Sequence, residues 1–310
     1  MRQLLASDVA PVRSGAASAK PVVLPSTYDI PNMPGKRTCI FCEDLDGRLT
    51  LEHAYPNWIL EVLPGEKPGT TIQTSSKLDK IRAWASKGQT GVRTRSVCEK
   101  CNNGWMSKLE EVAKPLLGPL MLGETKTLDV VAQRIAIVWG LKTAMVFDAS
   151  SFPLHRMVFT AEERRFLREY RAPHPTLAYA VFLAHNKGGM EMYSDEYKLA
   201  IRTTPLPEGD DPWNSSVTVC RTLVLGQLVM QVMVFRMKSP GECAVIDAEV
   251  WAENSIDITR PSKDVSWPPK VALATPLDLA LFRDRWEPET VKQIRRSEIE
   301  RLRRKLDEQV

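Results

Sequence analysis

Apolar positions are spaced for short strands early in the chain, for helices in its middle, and for longer strands in its second half. Arg48-Leu49-Thr50-Leu51 alternates and reads as a short strand running into Glu52-His53. Trp58-Ile59-Leu60 with Val62-Leu63 is a short apolar stretch closed by Pro64-Gly65. The segment 91–97 alternates again and predicts a second strand. Trp105, Leu109 and Val112 then recur at intervals of four and three, which predicts one face of a helix. Pro115 is expected to end or kink it. Leu128, Val131, Ile135, Val138 and Met145 keep helical spacing and predict a second helix over 128–145. Thr160-x-x-Glu163 has the form of a capping box, so a third helix should start at Thr160. Beyond Pro175 the period becomes that of strands: 177–183, 197–203, and a run over 217–236 long enough for two, turned near Gly226-Gln227. A charged helix is expected from about Glu289. The fold class this predicts is α+β, a small strand–strand–helix module followed by a larger helical and antiparallel-sheet region.

Four segments follow from this pattern. Residues 1–36 carry Pro11, Pro21, Pro25, Pro31 and Pro34 with small residues between them, which predicts a disordered or extended arm. Residues 37–122 form the small module, 123–286 an α+β domain, and 287–310 the charged terminal helix. Composition changes little here: 310 residues, 43% hydrophobic and 26% charged, are enough for two globular domains. No apolar run is read as approaching the ~18 residues of a membrane span. The start MRQLLASDVA makes a poor signal peptide. A protein of the cytoplasm with no membrane partner is the expectation.

A net charge of +4 is too small to argue for nucleic acid, but its distribution is uneven. Lys77, Lys80, Arg82, Lys87, Arg93, Arg95 and Lys100 crowd one stretch in which Asp79 and Glu99 are the only acids. Lys87, Arg93, Arg95 and Lys100 are the candidate phosphate contacts, and Trp84 could stack on a base. A solvated basic loop is the plainer reading.

The cysteines carry more. Of 6 in the chain, Cys39 and Cys42 form one Cys-x-x-Cys knuckle, and Cys98 and Cys101 form another. Two such knuckles predict one structural Zn²⁺, because each turn brings two thiolates onto an ion and four sulfurs leave no open position. Cys220 and Cys243 lie in apolar, strand-like surroundings and read as buried free thiols. Between the knuckles sits His53 beside the carboxylate of Glu52, and Asn102 directly follows the last cysteine.

These residues resemble the HNH endonucleases, also called ββα-metal nucleases. The likeness rests on Cys39-x-x-Cys42, Glu52-His53-Ala54-Tyr55-Pro56 and Cys98-x-x-Cys101-Asn102, and it covers about residues 38–106. A softer likeness, in NNGWMSKLE followed by KPLL, is to a bacterial and phage group of such proteins. The resemblance implies a metal-dependent nuclease acting on nucleic acid, DNA being the expected partner. It implies His53 as general base, and Glu52 and Asn102 as ligands of a catalytic Mg²⁺ or Mn²⁺. Asn103 is the rival ligand, and helix capping is the rival role for Asn102. Glu52 stands where the family more often has Asp, and Asn102 where it more often has His. The family's strand Asn, which orients the histidine, has no counterpart between Asn57 and Asn102, so Thr94 or Ser96 is the expected substitute. The alternative function is a non-catalytic zinc-finger module that binds DNA or protein.

Overall fold

The computed structural model describes residues 38–44, 47–63, 72–73, 82–83, 93–151, 158–187, 192–201, 216–236 and 253–284. All of them fall in one compact unit, Pro25–Glu287. The predicted arm 1–36, the helix from Glu289, Cys243, Lys77, Lys80, Lys87 and Trp84 lie outside the described residues.

The chain opens with β1 (Leu49–His53), α1 (Trp58–Val62) and a small antiparallel pair, β2 (Ile72–Gln73) with β3 (Arg82–Ala83). Then come β4 (Arg93–Cys98), a single helical turn α2 (Glu99–Cys101), a π-helical turn over Asn102–Met106, and α3 (Ser107–Met121). β1 pairs antiparallel with β4, which gives the expected strand–strand–helix order. Beyond it lie β5 (Lys126–Leu128), α4 (Val130–Ser151) and α5 (Ala161–Tyr170). The second half supplies β6 (Ala178–His185), β7 (Met192–Ile201), β8 (Ser216–Leu225), β9 (Leu228–Arg236), β10 (Ile256–Asp257), β11 (Val265–Trp267) and α6 (Pro276–Asp284). Five of these strands form one antiparallel sheet in the order β10-β6-β9-β8-β7, and β11 pairs with β5. The class is α+β.

α4 is the pivot of the packing. Trp139, Leu141, Met145, Val146 and Phe147 are all buried, which is the signature of a helix enclosed on every side. Gly140 allows its approach to the sheet: a Cβ there would stand 2.7 Å from Met230 Sδ and 3.2 Å from Val232 Cγ2 on β9. By length and hydropathy the segment Val130–Ala149 could cross a bilayer, contrary to expectation. Yet 72% of it is buried within this fold, and it carries the buried polar side chains Gln133, Lys142 and Thr143. Those features mark a core helix.

Several boundaries differ from the expected ones, each for a local reason. Leu128 belongs to β5, and Asp129 starts α4 by accepting from the Ala132 amide at 2.7 Å. Val131, expected on the buried face, is 60% exposed. α3 does not stop at Pro115 but runs through Pro115 and Pro119 to Met121. Pro119 has no N–H for the Pro115 carbonyl, and Lys126 Nζ donates to that carbonyl instead at 2.9 Å. Val112 is exposed, while Trp105, Leu109, Ala113, Leu116 and Leu120 are buried, so the inner stripe passes through Ala113. β7 begins before Tyr197 because its whole length pairs with β8, from Met192 opposite Leu225 to Ile201 opposite Ser216. The β8–β9 turn falls at Gly226 as expected. Its φ of 62° suits glycine, and the Gly226 site lies close under Met121 O. Cys220 is a buried free thiol.

α5 starts at Thr160 with both halves of the capping box made. Its Glu163 also receives both terminal nitrogens of Arg236 from β9, one of them at 2.6 Å. Burial pushes the Glu163 carboxyl up, but Arg236 and the hydrogen bonds from Thr160 outweigh it and hold it below the ordinary 4.5. A depressed carboxyl stabilises the fold above its unfolded pKa, and that stability is lost as pH falls through the folded value. Glu163→Gln should therefore destabilise the protein by about 3 kcal/mol at neutral pH, the usual size for breaking a buried pair. Urea unfolding across pH checks this: the gap to wild type should begin to narrow as pH falls below the ordinary carboxyl value and close only as it passes the depressed folded value.

Candidate metal centre and adjoining cleft

Cys39 and Cys42 lie in a tight turn closed by the Glu43 amide donating to Cys39 O at 2.8 Å. The Ile40 amide donates to Ser96 O at 2.8 Å, which ties this knuckle to β4. Cys98 ends β4 and Cys101 ends α2, where the Cys101 amide donates to Cys98 Sγ at 3.4 Å. The four sulfurs lie within 4.8 Å of one another, and Cys42 Sγ is 3.5 Å from Cys98 Sγ across 56 residues of sequence. A tetrahedral ion with ~2.3 Å bonds to sulfur holds its ligands about 3.8 Å apart, so the cluster fits one metal ion such as zinc. Among the described residues it is the sole group of three or more His, Cys, Asp or Glu donors that converges in this way. A hydrogen bond with Cys101 pulls Cys39 down to about 4 against the effect of burial, helped by backbone bonds from Cys98, Phe41 and Cys42. Burial pushes Cys42 up to about 11, and the bond to Cys39 together with burial pushes Cys101 up as well. A cation that replaces the retained protons relieves this mutual repulsion.

Next to this centre is an open cleft of about 380 Å³ whose lining includes Glu52, His53, Asn102, Asn103 and Glu110. Its geometry follows from the β1–β4 pair. Thr50 stands opposite Val97 and Glu52 opposite Thr94, so an extra β4 residue is accommodated between them. Bulges of this kind re-aim side chains at the end of a strand. Thr50 and Glu52 are two residues apart and share a face of β1. Asn102, at the head of the π turn, reaches both. Its Nδ2 donates to Thr50 Oγ1 at 3.3 Å, and its side chain also acts to lower the Glu52 carboxyl. Burial raises the Glu52 carboxyl above its ordinary value, opposed by the Lys142 charge, reinforced by Glu110 and opposed again by Asn102. His53 is half-buried at the end of β1, opposite Arg93.

The three residues singled out for catalysis thus line one cleft. Asn103, the rival ligand, lines it too and is exposed. Arg95 and Lys100 are exposed on β4 and α2. Arg93 is placed by its backbone alone, and Lys87 lies outside the described residues. Ser96 is buried on β4, and the Thr94 side chain is outside the description.

Sequence reasoning missed the floor of the cleft. Glu110 of α3 accepts from Trp58 Nε1 and Trp139 Nε1, each at 2.7 Å, and from Lys142 Nζ. Lys142 is 1% exposed. One carboxylate therefore joins α1, α3 and α4 below Glu52. The signal was present: Lys142 is the single charge in the apolar run 135–147 of α4, and a charge so placed demands a buried partner.

Comparison with family models, with curated proteins and with solved structures finds no match to this chain. The geometry stands on its own.

Two measurements test these centres. Glu110→Gln leaves Lys142 buried without its counter-charge and should cost about 3–5 kcal/mol in urea unfolding, with Glu110→Gln/Lys142→Met recovering much of the loss. A single-variant loss below about 1 kcal/mol, the range of surface pairs, would count against the network. Metal analysis should find about one ion per chain in the cysteine centre, and Cys98→Ala should lose it together with the protease resistance of the β1–β4 module.

Proposed function

We propose that this chain is a metal-dependent endonuclease of the HNH type, hydrolysing phosphodiester bonds in nucleic acid, with DNA as the substrate. The observation that carries the reading is the shared cleft. Glu52 and His53 come from the end of β1, Asn102 comes from the helix start some fifty residues later, and all three meet beside a four-cysteine centre. In this reading the cysteines hold a structural Zn²⁺ with no open position for water, so the centre orders the module and leaves chemistry to the cleft.

His53 takes the proton of the attacking water, a task suited to an imidazole at neutral pH. Glu52 and Asn102 offer one carboxylate and one amide oxygen; the amide nitrogen is already used on Thr50, which turns the oxygen over to a cation. A bound Mg²⁺ or Mn²⁺ supplies charge neutralisation at the scissile phosphate and the leaving 3′ oxygen. Arg95 and Lys100, exposed on neighbouring elements, suit phosphates flanking the cut. The Glu110–Lys142 pair, joined to two indoles, stiffens the wall from which Glu52 acts. Free thiols on a metal centre suit a reducing compartment, so the cytoplasm is the proposed location.

A second reading, a non-catalytic zinc module that binds DNA or protein, draws on the hydrogen bond between Asn102 and Thr50. It gives the Asn102 side chain a structural partner that needs no cation. Plasmid nicking with Mg²⁺ or Mn²⁺ separates the two. His53→Ala should lose about 10²–10⁴-fold in cleavage rate with metal content and fold unchanged. Asn102→Ala should regain part of its rate as Mn²⁺ is raised. Wild-type protein that never cleaves but binds DNA with steep salt dependence would establish the binding module instead.

A further inference from the structure

Helix α5 is separated in sequence from both cysteine knuckles, yet three of its basic side chains, or those just past its end, turn back onto them. Arg164 is 6% exposed, and its Nε donates to Ile40 O at 2.7 Å, inside the Cys39–Cys42 turn. Its Nη1 donates to Phe159 O, so the guanidinium is fixed from two sides. Arg165 pairs at 3.3 Å with Glu43, the residue directly after Cys42. Arg171 caps α5 in the left-handed conformation, with φ 54°. Its guanidinium lies 4.9 Å from the centre of the Trp105 ring, which itself meets Phe41 of the first knuckle edge-on at 4.9 Å.

A divalent ion bound by four thiolates carries a net charge of about −2, and a half-buried dianion needs compensation. Glu43 and Asp44 on the first turn have the opposite sign, and Lys100 within the second knuckle is exposed to solvent. We propose that Arg164 and Arg171 are the outer-shell cations of the cysteine centre, setting its affinity for a divalent metal and linking that affinity to the seating of α5. The linkage has a physical route. Arg236 of β9 grips Glu163 and also donates from Nε to Val158 O at 2.7 Å, so the five-stranded sheet holds the start of α5, and α5 holds the first knuckle. Metal at the cysteines then favours the docked α5, and a docked α5 favours metal, by the same factor. The inference concerns the cysteine centre alone and is independent of whether the cleft cuts nucleic acid.

The test reads metal affinity directly on the full chain. Co²⁺ alone is titrated into metal-free protein, followed by the sulfur-to-cobalt absorption of a four-thiolate site, and Zn²⁺ is then measured by competition. Arg164→Met and Arg171→Met should each weaken binding about 10–100-fold, the usual effect of losing an outer-shell partner. The cobalt spectrum should keep its four-sulfur shape, because the ligands are untouched. Arg171→Lys, which keeps the charge, should stay within about threefold of wild type. Leu167→Ala loosens the buried side of α5 without removing charge, since Leu167 is 0% exposed, and by the linkage it should weaken binding as well. If Arg164→Met fails to fold, the exposed Arg171 carries the result. Affinities of Arg171→Met within about threefold of wild type would overturn the proposal. So would a loss in Arg171→Lys equal to that in Arg171→Met, which would reduce Arg171 to packing, or an unchanged affinity in Leu167→Ala, which would remove the linkage to α5.

Discussion

A lysine ammonium at 1% exposure is the constraint around which the middle of this protein is arranged. Leaving such a charge in an apolar helix without a partner costs several kcal/mol. Lys142 therefore requires Glu110 to face it, which sets how α3 and α4 lie against each other. Glu110 in turn has lone pairs to spare, and the indoles of Trp58 and Trp139 fill them. With three donors on one carboxylate, α1, α3 and α4 have little freedom left. The cleft that holds Glu52, His53 and Asn102 is also lined by Glu110, so its shape is inherited in part from a buried ion pair whose charges act on Glu52.

Much of the small module, and the start of α5, was legible because the signals are local. A Cys-x-x-Cys turn, an alternating strand or a Thr-x-x-Glu cap is specified by residues within one or two turns of each other, and these appear where their spacing puts them. The boundaries that moved depend on distant partners. Val112 is outward because the inner stripe of α3 runs through Leu109, Ala113, Leu116 and Leu120, and which flank of Leu109 is covered is set by what α3 packs against. Pro115 and Pro119 sit within α3 because Lys126, beyond the helix, supplies a donor that the backbone lacks. Leu128 is in a strand because Val265, far along the chain, pairs with it. No window of helical spacing contains that information.

The candidate site divides in the same way. The cysteines and the Glu52-His53 pair announce themselves by residue type and spacing. Their support does not. Glu110 is an ordinary-looking acid on an amphipathic helix, and only its match to Lys142, 32 residues on, distinguishes it. Arg164 looks like part of the solvated face of α5 until the carbonyl of Ile40, 124 residues earlier, is found beneath it. The Lys142 signal could have been followed, since a single charge in an apolar helix implies a partner, but the partner's identity is a tertiary fact.

Both polar centres of the first module are completed by the helices that follow it, and this bears on what the rest of the described chain is for. Two strands and a helix with a metal staple make a marginal unit, since a two-stranded sheet has no second face to bury. Here the missing face is α4, whose Lys142 reaches the cleft floor, while α5 brings Arg164 to the knuckle. One hydrophobic cluster runs without a break from Cys39 and Trp105 through Trp139 to Val232 and Trp267. The antiparallel sheet anchors both helices, α4 through the close approach at Gly140 and α5 through Arg236. A substitution deep in the sheet can therefore alter the cleft or the metal centre without being near either. The larger α+β region is, in this physical sense, a part of the candidate site as well as a neighbour to it.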